Sequence, residues 1–364
     1  MALSHDLCYS IVDIRLLLEY HDSYSSVLRY FNFVMSIVTC LVGLVGNAVV
    51  ICFIRFIMKK HKSKYWFLNM AIADFFSLLI LPFQAISGLK GTWIFGPYMC
   101  KLFIFSICAN MYASIYILIA LNIAKVLSVT QPMFHLKFIS QHASVSVCIL
   151  IWFITILFSL PVFYYAGEVQ IGEITLCSYL GSKTLVDNKY NVSSENATRN
   201  VLVSEIYTKL KLYFEQCSSD TCCGGEKTFN LWNHLMFSSK QFVIPLLIIG
   251  YFIPLGVMIV CNINIVAHVR KSKTINTHRL YRIVLIIIMV YFITWTPLVI
   301  AEIVFFNAVY NMNLIVMFNV LKFMPLLINI AYANSCLNPV VYVLSGGRMR
   351  TGISEFISSI KSNP

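Results

Sequence analysis

The chain has 364 residues, of which 59% are apolar, 12% are charged and 14% are aromatic, and its formal net charge is +12 at pH 7. About a quarter of the residues of a soluble domain are charged, so this composition excludes an ordinary soluble protein. Only 15 Gly, 10 Pro and no visible repeat exclude collagen-like and coiled-coil chains. The positive charge alone could indicate nucleic-acid binding, but the mean hydropathy of +0.78 favours a membrane protein.

Seven apolar segments are long enough to cross a bilayer, which requires about 20 residues per helix. They lie at about residues 32–57, 65–89, 97–124, 144–165, 241–267, 281–306 and 314–343. Because backbone polar groups in lipid must be satisfied within their own segment, all seven are predicted to be helices. The predicted fold is an all-α membrane protein. An N-terminal segment (1–30) precedes the seven-helix domain (31–344), and a short tail (345–364) follows it.

The charges between these spans predict the orientation, because cytoplasmic loops carry an excess of Lys and Arg. One side holds a single acid, Glu355, and fifteen basic residues: Arg55, Lys59, Lys60, Lys62, Lys64, Lys125, Lys137, Arg270, Lys271, Lys273, Arg279, Arg282, Arg348, Arg350 and Lys361. That side is predicted to face the cytoplasm. The first residues lack the pattern of a cleaved signal peptide, so the N-terminus is expected outside.

The long segment 167–238 then lies outside, and two of its features agree with that position. It carries two glycosylation sequons, at Asn191 and Asn196. Six of the twelve cysteines lie within spans, where a thiol behaves as a small apolar group. The other six fall outside, in an oxidising compartment: Cys8, Cys100, Cys177, Cys217, Cys222 and Cys223. Their even number permits full pairing, and the sequence alone leaves the connectivity open.

Asp74 is an acid in the middle of the second span, where an ionised carboxylate needs a partner. One interpretation is a protonated carboxyl group that is hydrogen-bonded to its neighbours. The other is a site for a hard monovalent cation such as sodium, which prefers carboxylate, hydroxyl and amide oxygens. The candidate oxygen ligands at the same depth are Ser114 in the third span and Asn334, Ser335 and Asn338 in the seventh.

Several motifs, in their order and spacing, resemble the signature residues of rhodopsin-like (class A) G-protein-coupled receptors. These are Gly46-Asn47, Asp74, Trp152, Trp295-Thr296-Pro297 and Asn338-Pro339-Val340-Val341-Tyr342. Within that class the chain is most similar to the chemoattractant receptors, namely the complement anaphylatoxin, formyl-peptide and chemerin types. Four further stretches support this: 65–69, 93–96, 110–114 and 333–339.

The resemblance implies roles for particular residues. Cys100 and Cys177 match the family's disulfide, which pins the long second outer loop over the mouth of the bundle. Trp295 lies two residues before Pro297, and Pro339 interrupts the seventh helix near Tyr342. A proline removes a backbone donor and kinks a helix, so these residues form the expected activation switch. The implied partners are an extracellular peptide or small protein, an inhibitory-type heterotrimeric G protein, and the lipid of the plasma membrane.

The cytoplasmic end departs from the family pattern. The expected Asp-Arg-Tyr at the end of the third span reads Ala124-Lys125-Val126, and the expected Tyr of the fifth span is Asn262. In the family the Asp holds the neighbouring Arg in the inactive state, so its replacement by Ala124 should free the basic side chain and raise basal activity. Loss of the Arg and Tyr should weaken G-protein engagement, since Lys lacks the planar fork of Arg. Signalling with raised basal activity and a silent decoy both remain open, and the divergence also fits a captured, for example viral, homologue.

The outer pocket has changed as well. Arg and Asp residues that bind ligand in the anaphylatoxin and formyl-peptide receptors are replaced by Ala166, Leu246 and Met324. The candidate pocket residues that remain are Tyr112, Glu302, Lys322 and Tyr332. Glu302 is the best candidate to contact a basic ligand, and the alternative is a solvated acid at the rim.

The cytoplasmic tail is predicted to contain one further helix. Apolar residues at helical spacing between 353 and 360 predict a short amphipathic eighth helix on the inner leaflet.

No hydrolase or metalloprotease motif occurs, so an enzyme is not expected, nor is any cofactor or metal apart from the candidate sodium ion. A transporter is the remote alternative, disfavoured because the spans do not form paired repeats.

Overall fold

The computed structural model describes residues 2–56, 64–134, 140–171, 174–179, 237, 240–269, 276–311 and 313–345. Within these ranges the side chains of 2–25, 141, 169–171, 174, 176, 269, 276–284, 314–315, 318 and 341–345 fall outside the description. Seven of its helices are long and apolar enough to span a membrane, which confirms the predicted number. These spans are Ser26–Phe56, Lys64–Lys90, Gly96–Thr130, His142–Tyr165, Lys240–His268, Leu285–Tyr310 and Asn319–Val340. They are called helices one to seven below.

Helices one, three, six and seven are each continuous, and helices one, six and seven extend beyond their membrane spans. Their bounds are Ala2–Phe56, Gly96–Thr130, Asn276–Tyr310 and Leu314–Ser345. Helix three ends six residues beyond the predicted span, and helix one begins well before it. The charged and polar residues at these ends lower the local hydropathy without breaking the helix, which is why a hydropathy window finds only the apolar part.

Helices two and four are each interrupted near a proline. Helix two consists of Lys64–Leu78 and Leu81–Lys90, with Pro82 at the start of the second segment. Helix four consists of Gln141–Ser159 and Val162–Tyr165, separated at Pro161. Proline lacks the N–H that continues the hydrogen-bond ladder but fits the first turn of a new segment, so each break restarts as helix at once.

Helix five contains one wide turn. Residues Ile248–Phe252 form a π-helix that continues into the α-helix Ile253–Val269. Such a turn frees backbone carbonyls from the regular ladder. One of them, on Ile249, accepts a hydrogen bond of 3.1 Å from the Tyr116 hydroxyl of helix three. Gly250 lies in this turn, where a Cβ atom would collide with Met111.

Helix seven packs against helices six and one, and helix one also lies along helix two. Two glycines of helix one permit this close approach. A Cβ at Gly46 would lie 3.2 Å from Pro339, and one at Gly43 would lie 2.5 Å from Leu78 Cδ1. The core runs through the centre of the bundle around Met70, Ile115, Leu118 and Tyr291.

The second outer loop begins as a β-hairpin, which the sequence analysis did not predict. Strand β1 (Gly167–Ile171) pairs antiparallel with strand β2 (Ile174–Ser178). Several predictions lie outside the described residues: the glycosylation sites Asn191 and Asn196, the cysteines Cys217, Cys222 and Cys223, most of the loop 167–238, and the eighth helix.

Candidate functional site

Asp74 joins helix two to helix seven in the middle of the bundle. The side chain is 0% exposed. Ser335 Oγ donates a hydrogen bond of 2.7 Å to Asp74 Oδ1, and Asn338 Nδ2 donates one of 2.9 Å to Oδ2. Each carboxylate oxygen therefore has a donor from helix seven, and the two bonds fix this helix beside helix two. This pairing is what a carboxylate in lipid requires.

Helix three joins this cluster through Asn110, which the sequence analysis did not assign to it. Asn110 Nδ2 donates to Ser335 Oγ at 3.1 Å, and Ser114 Oγ donates to Asn110 Oδ1 at 3.0 Å. Ser114 thus reaches the carboxylate only through Asn110 and Ser335. The missed signal was the spacing of Asn110 and Ser114, four residues apart on one helix face. The cluster connects helices two, three and seven.

The oxygen atoms in and beside this cluster are of the types that bind a sodium ion. The buried amide oxygens of Asn334 and Asn338 have no hydrogen-bond partner among the described residues. The Asn338 oxygen belongs to the amide whose nitrogen is bonded to Asp74. A carboxylate, two hydroxyls and unpartnered amide oxygens are the ligand types that a hard cation takes. Among the described residues, no group of three or more His, Cys, Asp or Glu side chains could hold another metal.

The residues around Pro297 tie helix six to helices three and five. Trp295 is 4% exposed and stacks on Tyr291 with ring centroids 5.8 Å apart. The Tyr291 hydroxyl donates to Met111 O at 3.4 Å. Tyr251 of helix five and Thr296 of helix six are joined through their hydroxyl oxygens at 2.6 Å. These contacts all lie on the two turns before the proline, which removes one backbone hydrogen bond from helix six.

Helix seven carries two prolines within its length, Pro325 and Pro339. Pro339, predicted as a hinge, packs beside Gly46 of helix one and directly follows Asn338 of the Asp74 cluster. Pro325 was not predicted as a break, and its carbonyl oxygen accepts a hydrogen bond of 3.4 Å from Gln84 Nε2. Tyr342 lies on the last turns of helix seven, and its side chain falls outside the described residues.

The cytoplasmic end places Ala124, Lys125 and Val126 within helix three. Lys125 is only 8% exposed, and no carboxylate lies within ion-pair distance of it in the part of the chain that the structure describes. Asn262 of helix five donates to Met258 O of its own helix at 2.8 Å, and its buried Oδ1 has no described partner. Neither residue therefore makes a restraining bond to another described helix.

The outer end is covered by the β-hairpin, which three contacts hold in place. The Cys100–Cys177 disulfide joins β2 to the start of helix three. The Trp93 N–H donates to Thr175 O at 2.7 Å, and the Thr175 N–H donates to Thr92 Oγ1 at 3.0 Å. The disulfide expected from the resemblance is thus present.

Tyr179, which follows β2, carries the hairpin across to helices five and six. Its ring stacks on Phe242 of helix five at 5.2 Å and meets the edge of Phe305 of helix six at 6.2 Å. Its hydroxyl donates to Glu302 Oε2 at 2.8 Å. Burial, with the Glu302 charge adding to it, raises the pKa of Tyr179 well above its usual value, so the phenol remains a donor. Glu302 is therefore a partly buried, hydrogen-bonded acid.

The other candidate pocket residues lie in separate surroundings. Tyr112 is 2% exposed and packs on Tyr116 and Phe158. Tyr332 is 4% exposed and accepts from Ser77 Oγ at 3.5 Å. It also lines a cavity of about 10 Å³ beside Trp295 and Asn110, which is too small for a peptide. Lys322 lies partly exposed on helix seven.

Comparison with known proteins agrees with this arrangement. The model of the 7 transmembrane receptor (rhodopsin family) matches residues 46–204 and 200–342. Chemerin-like receptor 1 of Sus scrofa is 26% identical over 333 residues, which cover 90% of this chain and 80% of the relative. Chemerin-like receptor 2 of Homo sapiens is 26% identical over 339 residues, covering 91% and 81%. Chemerin-like receptor 1 of Mus musculus is 26% identical over 317 residues, covering 85% and 74%.

These matches establish the class of protein. The family consists of receptors rather than enzymes, and its members cross the plasma membrane several times with the N-terminus outside. The seven spans and the disulfide at the outer end agree with this position. The chain belongs to the rhodopsin family of G-protein-coupled receptors and is related to the chemerin-like receptors of the chemoattractant group.

Proposed function

We propose that this receptor binds an extracellular peptide or small protein and activates an inhibitory-type heterotrimeric G protein, with raised basal activity. The observation that carries the proposal is the Asp74 cluster. Its partners Ser335 and Asn338 lie four residues and one residue before Pro339, so a change in helix seven is coupled to helices two and three. Signalling requires such a connection between two arrangements of the bundle. The chemerin-like relatives support a peptide or small-protein ligand.

Raised basal activity follows from the surroundings of Lys125. A restraining acid at position 124 would bias the resting equilibrium toward the inactive arrangement, and this chain has Ala124 there. Lys125 has no acidic partner in the described ranges, so no ion pair between described residues has to break on activation. A smaller free-energy gap increases the active population before any ligand binds.

Basal G-protein output in cells that express equal surface amounts of each variant tests the proposal. Ala124→Asp should lower the output about two- to tenfold, since a gain of about 0.4–1.4 kcal/mol for the inactive state changes the equilibrium by that factor. Lys125→Arg should raise it, because Arg restores the planar fork. Ala124→Asn, which adds a similar volume without charge, is the matched control and should leave the output close to wild type.

A non-signalling decoy is the second candidate, and Asn262 favours it. The Asn262 side chain donates to its own helix rather than across to helix three. The contact expected of a Tyr at that position is therefore missing from the cytoplasmic end. Silence of wild type, Ala124→Asp and Lys125→Arg together would reject signalling and support the decoy.

A further inference from the structure

Glu302 and Asp74 are the only acidic residues of the chain within the seven spans. Asp74 receives two donors from helix seven and lies in a fully buried cluster. Glu302 receives one donor, the Tyr179 hydroxyl, and no cationic side chain lies within ion-pair distance of it in the described ranges. A carboxylate in the outer half of a helix bundle is stabilised most by a charged donor, and the described residues supply none there.

Three aromatic rings pack together at the residue that donates to this carboxylate. Tyr179 lies between Phe242 of helix five and Phe305 of helix six, with centroid distances of 5.2 Å and 6.2 Å. Phe305 is three residues from Glu302 and therefore lies on the same helix face. An acid beside aromatic faces is the combination that attracts a guanidinium or ammonium group, because the carboxylate supplies charge and the rings supply cation–π contacts. The chemistry of this site is therefore selective for a cation.

A cationic group can replace Tyr179 as the hydrogen-bond partner of Glu302. A neutral phenol gives Glu302 one hydrogen bond, whereas a guanidinium gives two parallel ones with full charge. The residues before Tyr179 are fixed by the Cys100–Cys177 disulfide and by Thr92 and Trp93. Rotation of the Tyr179 side chain can therefore expose Glu302 while the hairpin remains in place.

We propose that Glu302 receives a cationic group of the extracellular ligand, a guanidinium or ammonium, and that the Tyr179 hydroxyl takes the place of this group in the unliganded receptor. The proposal rests on the proposed function, because it names the chemistry of that ligand. When the cationic group replaces the Tyr179 hydroxyl, the hydrogen bond between the second outer loop and helix six is lost. Helix six is the helix that carries Trp295 and Pro297, so recognition at Glu302 is coupled directly to the expected switch.

Thermal unfolding of the purified full-length receptor tests this exchange with a matched pair of probes. The probes are L-argininamide and L-citrullinamide at 10 mM. The side chain of the first ends in a charged guanidinium, and that of the second ends in a neutral urea group of similar shape. Argininamide should raise the Tm of wild type by about 2–4 °C, a shift typical of a weak ligand present in excess. Citrullinamide should give a smaller shift. Tyr179→Phe keeps the ring and removes the competing hydroxyl, so its shift should exceed that of wild type.

Charge variants identify the residue responsible. Glu302→Gln should abolish the difference between the two probes, and Glu302→Asp, which keeps the charge, should retain part of it. Glu168→Gln removes an acid of β1 that lies opposite Cys177 and leaves the Tyr179–Glu302 bond in place, so it should behave as wild type. The proposal is overturned if wild type does not distinguish the probes, if Glu302→Gln still does, or if Tyr179→Phe responds less than wild type.

The outcome is independent of G-protein coupling, because binding alone is measured. A receptor that is silent in the signalling assay but distinguishes the probes would contradict the proposed function and retain this inference. A receptor that signals but does not distinguish the two probes would retain the proposed function and contradict this inference.

Discussion

The Asp74 carboxylate shows how a single side chain connects three helices in lipid. Its two oxygens accept from Ser335 and Asn338, and Asn110 extends the network to helix three. In a medium without water, these donors have few alternative partners, so the network holds the helices in one register. We propose that the unpartnered Asn338 oxygen, together with the buried Asn334 oxygen one residue from Ser335, gives this network ligand capacity for a cation.

Sodium dependence of stability tests that capacity at Asp74. We expect the Tm of wild type to be about 2–4 °C higher in sodium chloride than in choline chloride at equal ionic strength, because a bound ion stabilises the folded state. Asp74→Asn keeps the shape but removes the negative charge, so the difference should disappear. An equal sodium effect in both proteins would place the ion elsewhere, and Glu168→Gln serves as the control for loss of an acid outside the bundle.

The sequence predicted residues whose role follows from their chemistry alone. Asp74 is an acid in an apolar segment, and Ser335 and Asn338 recur on one face of helix seven, so their proximity could be expected. Tyr179 could not be assigned, because its contact with Glu302 depends on where the disulfide-anchored hairpin ends. Asn110 was overlooked for a different reason: several buried amides occupy these helices, and only the packing distinguishes the one that meets Ser335.

At the scale of elements, hydropathy predicts the seven spans because the bilayer requires about 20 apolar residues in each. It does not reveal the break in helix two before Pro82 or the π-helical turn Ile248–Phe252. The π turn depends on a bond that another helix provides, from Tyr116 to Ile249. The hairpin Gly167–Ser178 also depends on tertiary contacts, since a two-stranded sheet is marginal by itself.

The hydroxyl pair of Tyr251 and Thr296 should contribute measurably to the contact between helices five and six. A double-mutant cycle of Tyr251→Phe and Thr296→Val should give a coupling energy of about 0.6–1.7 kcal/mol, the range for hydrogen bonds between membrane helices. Thermal or chemical unfolding of the four proteins measures it. Tyr98→Phe, at a position 84% exposed, is the control and should change little. A coupling energy of zero would show that the pair does not link the helices.

The packing of helix one against helices two and seven depends on the absence of a side chain at Gly43. A Cβ there would lie 2.5 Å from Leu78 Cδ1 and 2.9 Å from Cys336 Sγ, and Leu78 is 0% exposed. Gly43→Ala should therefore destabilise the receptor by about 1–3 kcal/mol through overpacking. Gly256→Ala, which has nothing within 4 Å of the new methyl group, should be neutral or slightly stabilising. Equal unfolding curves for the two variants would contradict this packing.

Across the whole molecule, three regions form a connected series from the outer to the cytoplasmic end. The hairpin joins helix three to helices five and six through Cys177 and Tyr179. Trp295 and its neighbours then join helices six, three and five, and the Asp74 cluster joins helices two, three and seven. The outer and central regions are strongly bonded, whereas Lys125 at the cytoplasmic end has no acidic partner among the described residues. This difference favours a receptor whose inner end opens easily.

Nucleotide exchange by a purified inhibitory-type G protein tests this account most directly. The receptor is reconstituted in lipid nanodiscs without ligand, and exchange is compared among wild type, Ala124→Asp and empty nanodiscs. We predict that wild type accelerates exchange above empty nanodiscs and that Ala124→Asp reduces the acceleration by about two- to tenfold. A wild-type rate equal to that of empty nanodiscs would contradict basal signalling, and an unchanged rate in Ala124→Asp would contradict the role given to the missing acid.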